Sequence, residues 1–318
     1  MIAYIIRRLL HAAVVVVVVS MMVFVVMRLL PGDPVLMYLT SGDLQSASPQ
    51  QIAQLRHDYG LDKPLVVQYV DWAGHVLHGD LGKSILFHYS VTQELARRFP
   101  ISLSLALMAL VIGILIGPLL GAVSAIRRGT WLDTFLTVMA TVGITAPSFW
   151  VGIIMIYVLG LKLGLLPIYG YTSPLADLGA SVRQSIMPVA VLAVFPIASA
   201  ARQTRSSVLE VVGQDYIRTA WSKGLSERVV VARHVLKNAL MPVATIQGEI
   251  LRNIVAGAVV VETVFVIPGM GRLLVNGMLS SDYPVVEGII LLVAVVVVMA
   301  NLLVDILYAW LDPRIQYR

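Results

Sequence analysis

Two short segments contain residue types whose spacing could support chemistry. Gly82-Lys83-Ser84 is similar to the end of a phosphate-binding loop, G-x-x-x-x-G-K-[ST], but Leu77 stands where that motif needs its first glycine. His75, His78 and His88 are close enough in the sequence to suggest a metal site, yet no cysteine and no suitable carboxylate pattern accompanies them. We therefore predict that this chain itself binds no cofactor and no metal ion, and that these histidines face solvent.

The composition indicates a membrane protein. Hydrophobic residues make up 58% of the chain and charged residues only 13%, against about 25% charged residues in soluble proteins. The absence of cysteine excludes disulfides, thiolate metal sites and cysteine nucleophiles. Neither His-Glu-x-x-His nor Gly-x-Gly-Asp occurs, so an intramembrane enzyme is disfavoured. The net charge of +5 comes from basic residues between apolar segments, and we expect membrane lipid but no nucleic acid as a partner.

Six segments are long and apolar enough to cross a bilayer, which needs about 20 residues of helix. They are 9–30, 99–126, 134–161, 184–201, 239–261 and 288–310. The first could instead be a cleaved signal peptide, but its apolar core is long and no A-x-A site follows, so we expect an uncleaved helix. The fifth contains Glu249 and Arg252, which share a helix face and can neutralise each other. The fold class predicted is an all-α integral membrane protein with six transmembrane helices.

Basic residues are distributed unequally between the two sides that six spans define. The two ends and the loops 127–133 and 202–240 hold 13 basic and five acidic residues. The loops 31–98, 162–183 and 262–287 hold eight basic and eleven acidic residues. Because loops rich in lysine and arginine stay in the cytoplasm, both termini are predicted to be cytoplasmic.

The long loop 31–98 is predicted to form a structured extracytoplasmic cap. A helix should begin at Pro49 after the cap residue Ser48 and end at Gly60. A second helix should follow Pro64, with apolar residues at helical spacing. We expect that apolar face to be a core within the cap.

The loop 202–240 is predicted to hold two short helices. Asp215 should cap the first, which runs to Lys223, and Gly224 should end it in the left-handed conformation. Ser226 should cap the second, over 229–237. A rigid helix that projects from the membrane suits the transmission of force from a soluble partner, although a basic loop that binds anionic lipid would have a similar composition.

Several motifs resemble those of the permeases of bacterial ATP-binding-cassette importers, in particular the dipeptide and oligopeptide permease family. They extend over essentially the whole chain. The motifs are Leu30-Pro31-Gly32-Asp33-Pro34, Gly79-Asp80-Leu81-Gly82, Asp215-Tyr216-Ile217-Arg218-Thr219-Ala220-x-x-Lys223-Gly224-Leu225, Arg233-His234-x-x-Lys237-Asn238-Ala239-Leu240-x-Pro242, Val261-Glu262-x-x-Phe265-x-x-Pro268-Gly269-x-Gly271-Arg272 and Asp312-Pro313-Arg314.

The resemblance implies a type I importer permease fold in the bacterial inner membrane, and a set of partners. These are a second homologous permease subunit, two ATP-binding subunits that use ATP and Mg, and an extracytoplasmic substrate-binding protein. It also implies four parts of the chain: 1–30 with the first span, the cap 31–98, the core permease domain 99–311 with the coupling loop 202–240, and the cytoplasmic tail 312–318. The substrate could be a dipeptide, an oligopeptide, glutathione or a nickel chelate. A stand-alone secondary transporter remains the alternative outside this class.

The resemblance also implies two sites. The residues expected to couple to the ATPase are Asp215, Tyr216, Arg218, Thr219, Ala220, Lys223, Gly224 and Leu225, with Ala220 at the contact. The residues expected to form an extracytoplasmic gate are Glu262, Pro268, Gly269, Gly271 and Arg272, although a plain turn between helices would have a similar sequence.

Overall fold

The computed structural model describes residues 2–29, 49–58, 60–240, 243, 250 and 258–311. Across these residues the secondary structure is helical, apart from one isolated bridge between Lys83 and Ser90. The chain forms two compact units. The first comprises Met1–Ile101 and Pro268–Arg318, and the second comprises Ser102–Ile267.

The helices of the first unit are α1, α2 and α3 from the N-terminal part and α10 and α11 from the C-terminal part. They are α1 Ile2–Leu29, α2 Pro49–Asp58, α3 Leu65–Leu77, α10 Met270–Leu279 and α11 Tyr283–Leu311. Helix α4, Val91–Ile126, begins in this unit and continues into the second. The second unit then contains α5 Trp131–Thr145, α6 Ser148–Met155 with the π-helix π1 Ile156–Lys162, α7 Leu178–Val212, α8 Asp215–Ser222, and α9 Glu227–Val229 with the π-helix π2 Val230–Val235.

Four of the described helices are long and apolar enough to cross a membrane, and the bent pair formed by α5 and α6–π1 could be a fifth span. The four are in α1, α4, α7 and α11. The prediction of an all-helical membrane protein is confirmed. The predicted span 239–261 lies largely outside the described residues, as do Glu249 and Arg252, so the count of six spans stays a prediction.

The predicted span 134–161 is not one straight helix. Helix α5 ends at Thr145, and the following helical segment, Ser148–Lys162, runs at 108° to it. The break lies at Ala146 and Pro147, where Ala146 has the extended conformation. Proline disfavours a helical residue before it and cannot donate a backbone hydrogen bond, which explains why the helix ends here. The prediction of a continuous span was therefore wrong in this detail.

In the first unit, α1 packs against α11. Arg28 forms an ion pair with the buried Glu287, and the guanidinium group of Arg28 lies 3.7 Å from the centre of the Phe24 ring. Met27, Tyr283 and Val286 form an apolar cluster beside this pair. The cluster and the ion pair together join the first and the last described helices of the chain.

The presence of α3 was predicted correctly, but the surface on which its apolar face packs was not. Tyr69 and Trp72 contact Phe24 of α1, with ring centroids 5.4 Å and 6.0 Å from the Phe24 centroid. The face therefore packs on the first membrane helix and is not a core within the cap. Helix α2 ends before Gly60 as predicted, and Gly60 has the left-handed conformation, with φ of 64°.

In the second unit, α7 approaches α4 closely along a face of glycines. Gly113, Gly117 and Gly121 recur every four residues and so lie on one side of α4. A Cβ atom added at Gly117 would lie 2.5 Å from the Cβ of Ala200, which is closer than real Cβ atoms approach. Small residues allow helix backbones to come this near each other in membranes. Helix α7 is thereby held against α4 over about two turns.

Replacement of glycine by alanine should have opposite effects at Gly117, which lies in this contact, and at Gly74, which is uncrowded. Gly117→Ala should destabilise the protein by about 1–3 kcal/mol, because the added methyl group must displace Ala200. Gly74→Ala should stabilise α3 by about 0.5–1 kcal/mol, because nothing lies within 4 Å of the new atom and alanine is the better helix former. Size-exclusion chromatography after heating the detergent-purified variants would measure both changes. A Gly117→Ala variant that survives the same temperature as Gly74→Ala would contradict the packing.

Candidate functional site

Helix α8 is fixed to the rest of its unit by one buried face. Ile217 and Ala220 lie three residues apart, on the same side of the helix, with 0% and 7% of their surface exposed. They pack in an apolar cluster that we call the α8 platform. Its members are Ala125 of α4, Val208 of α7, Ile217 and Ala220 of α8, Val230 and Val235 of π2, and Ala239. The platform therefore ties α8 to two of the long helices.

The rest of α8 and the turn after it form an exposed surface that we call the α8 surface. Tyr216 and Trp221 flank the buried face on its two edges and, with Leu225, are 47%, 41% and 39% exposed. The charged and polar members are Asp215, Arg218, Thr219 and Lys223. Of the eight predicted coupling residues, Ala220 alone is buried. It packs in the α8 platform and so holds the helix in place.

Gly224 ends α8 as predicted. Its φ is 76°, in the left-handed region, and its amide donates to the carbonyl oxygen of Trp221 at 2.9 Å. No atom outside its immediate neighbours lies within 4 Å of the position a Cβ would take. The need for glycine here is therefore conformational and does not come from crowding.

The predicted cap of the first short helix is wrong, and the predicted cap of the second is confirmed in position only. Gln214 occupies the capping position of α8 and makes no side-chain hydrogen bond, while Asp215 is the first helical residue. A carboxylate in the first turn still interacts favourably with the helix dipole. Ser226 occupies the N-cap position of α9, as predicted, but its side chain makes no hydrogen bond to the helix end.

The second predicted helix, 229–237, contains a π-helical segment. Val230 and Val235 both have 0% of their surface exposed, and both belong to the α8 platform. In a π-helix, residues five apart are joined by a backbone hydrogen bond, so the two valines lie on one side. Residues 236–240 continue as a helix towards the predicted fifth span.

An ion pair next to the platform was not found from the sequence. Arg205 of α7 donates to both carboxylate oxygens of Asp133 at 2.7 and 2.9 Å, and the Ser124 hydroxyl donates to Asp133 at 2.6 Å. This two-fold geometry is the strongest form of such a pair. The sequence feature that could have indicated this ion pair is Asp133, an acidic residue in the first turn of an apolar helix. The pair joins α4, α5 and α7 close to Val208 of the platform.

The predicted gate residues are divided between the two units. Glu262 belongs to the second unit and is fully buried. The helical turn after it ends at Val266, which has a φ of 56°, and the amide of Ile267 donates to the Glu262 carbonyl oxygen at 2.8 Å. This is a Schellman ending, in which the left-handed position is usually glycine. A β-branched residue there is strained.

The other four gate residues belong to the first unit, where they begin α10. Gly269 precedes the helix in an extended conformation, and Gly271 is buried within its first turn. Pro268 and Arg272 are partly buried. Proline and glycine at this point allow the chain to turn into the helix.

The residues that could have bound phosphate or metal have other roles in the first unit. The Ser84 hydroxyl is buried and donates to Asp282 at 2.5 Å, and the Ile85 amide donates to the same carboxylate at 3.2 Å. Burial raises the pKa of the Asp282 carboxyl above its ordinary value. The rings of His75 and His78 each bond to a backbone carbonyl of α3 at 2.8 Å. Within the described parts of the chain, no three potential ligands are grouped for a metal ion.

Two family models match the chain. Residues 113–317 match the model of the binding-protein-dependent transport system inner membrane component. Residues 1–106 match the model of the N-terminal part of such membrane components. Together they cover nearly the whole sequence.

Curated relatives match over their whole length. A putative peptide transport system permease protein of Brucella abortus (strain 2308) is 43% identical over 317 residues, which is all of both chains. The di/tripeptide transport system permease protein DppB of Pseudomonas aeruginosa is 38% identical, and the dipeptide transport system permease protein DppB of Escherichia coli (strain K12) is 36% identical, again with full coverage of each chain.

The α8 platform predicts that Ile217→Ala loosens α8 without affecting the membrane helices. The lost contacts and the cavity should cost about 2–5 kcal/mol locally. Hydrogen exchange of residues 214–240 in the purified protein would then be faster, while exchange in α4 would be unchanged. Thr219→Ala, on the exposed side of the same helix, is the matched control. Equal protection of 214–240 in both variants would contradict the role of the platform.

Proposed function

The chain belongs to the family of inner membrane components of binding-protein-dependent transport systems, and we propose that it forms half of the translocation pathway of an ATP-driven importer of di- or oligopeptides. Membership of this family makes it a transport component and not an enzyme. Peptide substrates are supported by the relatives, whose names refer to peptide, di/tripeptide and dipeptide transport. Identity of about 40% over the full length supports the assignment of the class but does not separate these substrates from one another.

The proposed partners follow from the same family. A binding-protein-dependent system requires a substrate-binding protein and a source of ATP hydrolysis, so we propose two ATP-binding subunits that use ATP and Mg. A second homologous permease would complete the pathway.

We also propose six spans, with both termini in the cytoplasm. Helices α1, α4, α7 and α11 are four of them, the bent pair α5 and α6–π1 is another, and the segment 239–261 is the sixth. The excess of basic residues at the ends and in the loops 127–133 and 202–240 supports this orientation. The cap 31–98 is then extracytoplasmic, the core 99–311 spans the membrane and carries the cytoplasmic coupling loop 202–240, and the tail 312–318 is cytoplasmic.

The observation that carries the coupling proposal is the two-sided character of α8. One face is buried in the α8 platform, Tyr216 and Trp221 are exposed along its two edges, and Arg218 and Lys223 are exposed on the rest of the helix and its end. Tryptophan, tyrosine and arginine are the residues that most often carry the binding energy of protein interfaces. We propose that the α8 surface binds an ATP-binding subunit, and that Asp215, Thr219, Gly224 and Leu225 contribute to the same contact.

The platform then provides the mechanical link. A closing motion of the ATP-binding subunits would push on α8, and Ile217 would pass that displacement to Val208 of α7 and Ala125 of α4. Coupling of this kind needs an element whose position differs between two global states. Ala220 would act by holding α8 on the platform.

The segment 262–272 is proposed as the extracytoplasmic gate or as the docking site of the substrate-binding protein. A fully buried Glu262 and a left-handed Val266 support this proposal. A β-branched residue in that conformation costs about 1–3 kcal/mol, and such strain is common at functional sites. Pro268, Gly269, Gly271 and Arg272 complete the segment.

Substitution of Gly224 tests the link between ATP hydrolysis and transport. Gly224→Val should reduce ATP-dependent peptide uptake by at least about tenfold, because valine is strained at this φ by about 1–3 kcal/mol and the end of α8 must shift. Gly224→Asn should keep most of the uptake, because asparagine tolerates the left-handed conformation. Uptake of labelled dipeptide into proteoliposomes with internal or external ATP would be compared at equal amounts of inserted protein.

The result that would contradict this prediction is uptake by Gly224→Val at the wild-type rate. Equal loss in both variants would also contradict it, because the requirement would then be for a small side chain and not for the left-handed conformation.

Substitution of Trp221 tests the proposed contact itself. Trp221→Ala should weaken the binding of the ATP-binding subunits by about 2 kcal/mol, as expected for an exposed aromatic anchor. The amount of these subunits that co-purifies with the tagged chain in mild detergent would measure the change. Ser222→Ala, the exposed neighbour, is the control and should co-purify normally. Wild-type recovery with Trp221→Ala would remove the α8 surface from the contact.

A further inference from the structure

Helix α3 lies beside a part of α1 that belongs to its candidate membrane span. The Tyr69 hydroxyl is 2.9 Å from the Ser20 hydroxyl, and the Tyr69 and Trp72 rings contact Phe24. The candidate span in α1 is Ile6–Leu29, whose 24 residues are longer than the apolar core of about 30 Å requires. Whether that core coincides with the beginning or the end of the span, Ser20 lies roughly 8–14 Å inside it.

The side of α3 that does not contact α1 carries a stripe of exposed apolar residues. Val66, Val70 and Leu77 are 74%, 61% and 87% exposed. Their spacing of four and seven residues places them on one side of the helix, next to the side that carries Tyr69 and Trp72. We call these three residues the α3 stripe. In water, such a stripe would be an unfavourable surface for so short a helix.

The remaining side of α3 is polar and is fixed by polar contacts. Asp71 forms an ion pair with Lys63 at 2.8 Å, and both side chains are about half exposed. His75 is exposed on the same side and bonds to the Asp71 carbonyl oxygen at 2.8 Å. Helix α3 therefore has one side for α1, one apolar side and one side suited to water.

We propose that α3 is an interfacial helix whose stripe, Val66, Val70 and Leu77, is embedded in phospholipid around the C-terminal end of α1. The occupant is lipid because α3 contacts Ser20, which lies within the candidate span of α1, and the exposed side chains of α1 at the same level are apolar: Met22, Val25 and Val26 are 62%, 43% and 52% exposed. A polar side opposite an apolar one is the pattern of helices that lie in the membrane interface. Tyr69 and Trp72 are also the residue types enriched at membrane–water interfaces.

This proposal has a structural consequence that is independent of transport. Contact with lipid along α3 and contact with α1 through Tyr69 would fix the segment that follows α2 at the membrane surface. The inference requires only that α1 crosses a bilayer, and it holds whichever side of the membrane that end of α1 faces.

The absence of cysteine from the chain allows a direct test. Single cysteines would be placed by Val66→Cys and Val70→Cys in the stripe, and by Asp71→Cys and His75→Cys on the polar side as matched controls. The full-length protein, with the subunits that co-purify with it, would be labelled with a fluorescent maleimide and reconstituted in phosphatidylcholine vesicles. Quenching would be compared between a lipid nitroxide near the start of the acyl chain and a water-soluble nitroxide.

The expected result is that the lipid nitroxide quenches the two stripe positions at least about twofold more than the two polar positions, with the opposite order for the water-soluble quencher. Equal quenching at all four positions would overturn the proposal, because the stripe would not be the lipid-facing side. Stripe labels that respond only to the water-soluble quencher, or that become shielded only when a binding protein is added, would overturn it as well.

Discussion

The close approach of α7 to the glycine face of α4 is the interaction on which the second unit depends. Because Gly117 has no side chain, the α7 backbone can lie where another residue's Cβ would be. That contact places the later part of α7, which carries Arg205 and Val208, beside Asp133 and the α8 platform. The position of α8 is thus determined by helix packing within the membrane as well as by its own short sequence.

Charged groups in the described helices are constrained by their apolar surroundings. A charged group in an apolar environment must be paired, because there is little water to solvate it. Arg28 and Glu287 satisfy this in the first unit, and in the second unit Asp133 pairs with Arg205 at the proposed cytoplasmic ends of α5 and α7. Each pair joins helices that are far apart in the sequence, so each also specifies which helices are neighbours.

Local features of this structure could be predicted from the sequence where one residue type decides the conformation. Gly224 is left-handed as predicted, Gly60 ends its helix as predicted, and the helical spacing of apolar residues identified α3. The break at Pro147 was missed because proline does not always end a membrane helix. Pro188 and Pro196 lie inside α7, where Pro196 packs on Gly113. Whether a proline breaks a helix is decided by neighbouring helices, which a single sequence does not reveal.

The buried side of α8 was predicted only in part, because it too depends on neighbouring helices. The sequence motif identified the helix and its exposed residues, but Ala220 was expected at the surface and lies in the platform. Its burial depends on Val230 and Val235, whose common side is set by a π-helical turn that no local pattern predicts. The pairing of Asp133 with Arg205 likewise joins residues 72 positions apart.

The central claim is that α8 and α7 move as one body when ATP-binding subunits close. It can be tested most directly by electron spin resonance with labels at Ile186→Cys in α7 and Ser222→Cys in α8, in a chain that has no other cysteine. The complex would be measured in vesicles with and without ATP under conditions that prevent hydrolysis. We predict one narrow distance distribution that ATP does not change. A shift of several ångströms, beyond the spread of the labels, would show that α8 moves independently of α7 and would contradict the proposed coupling.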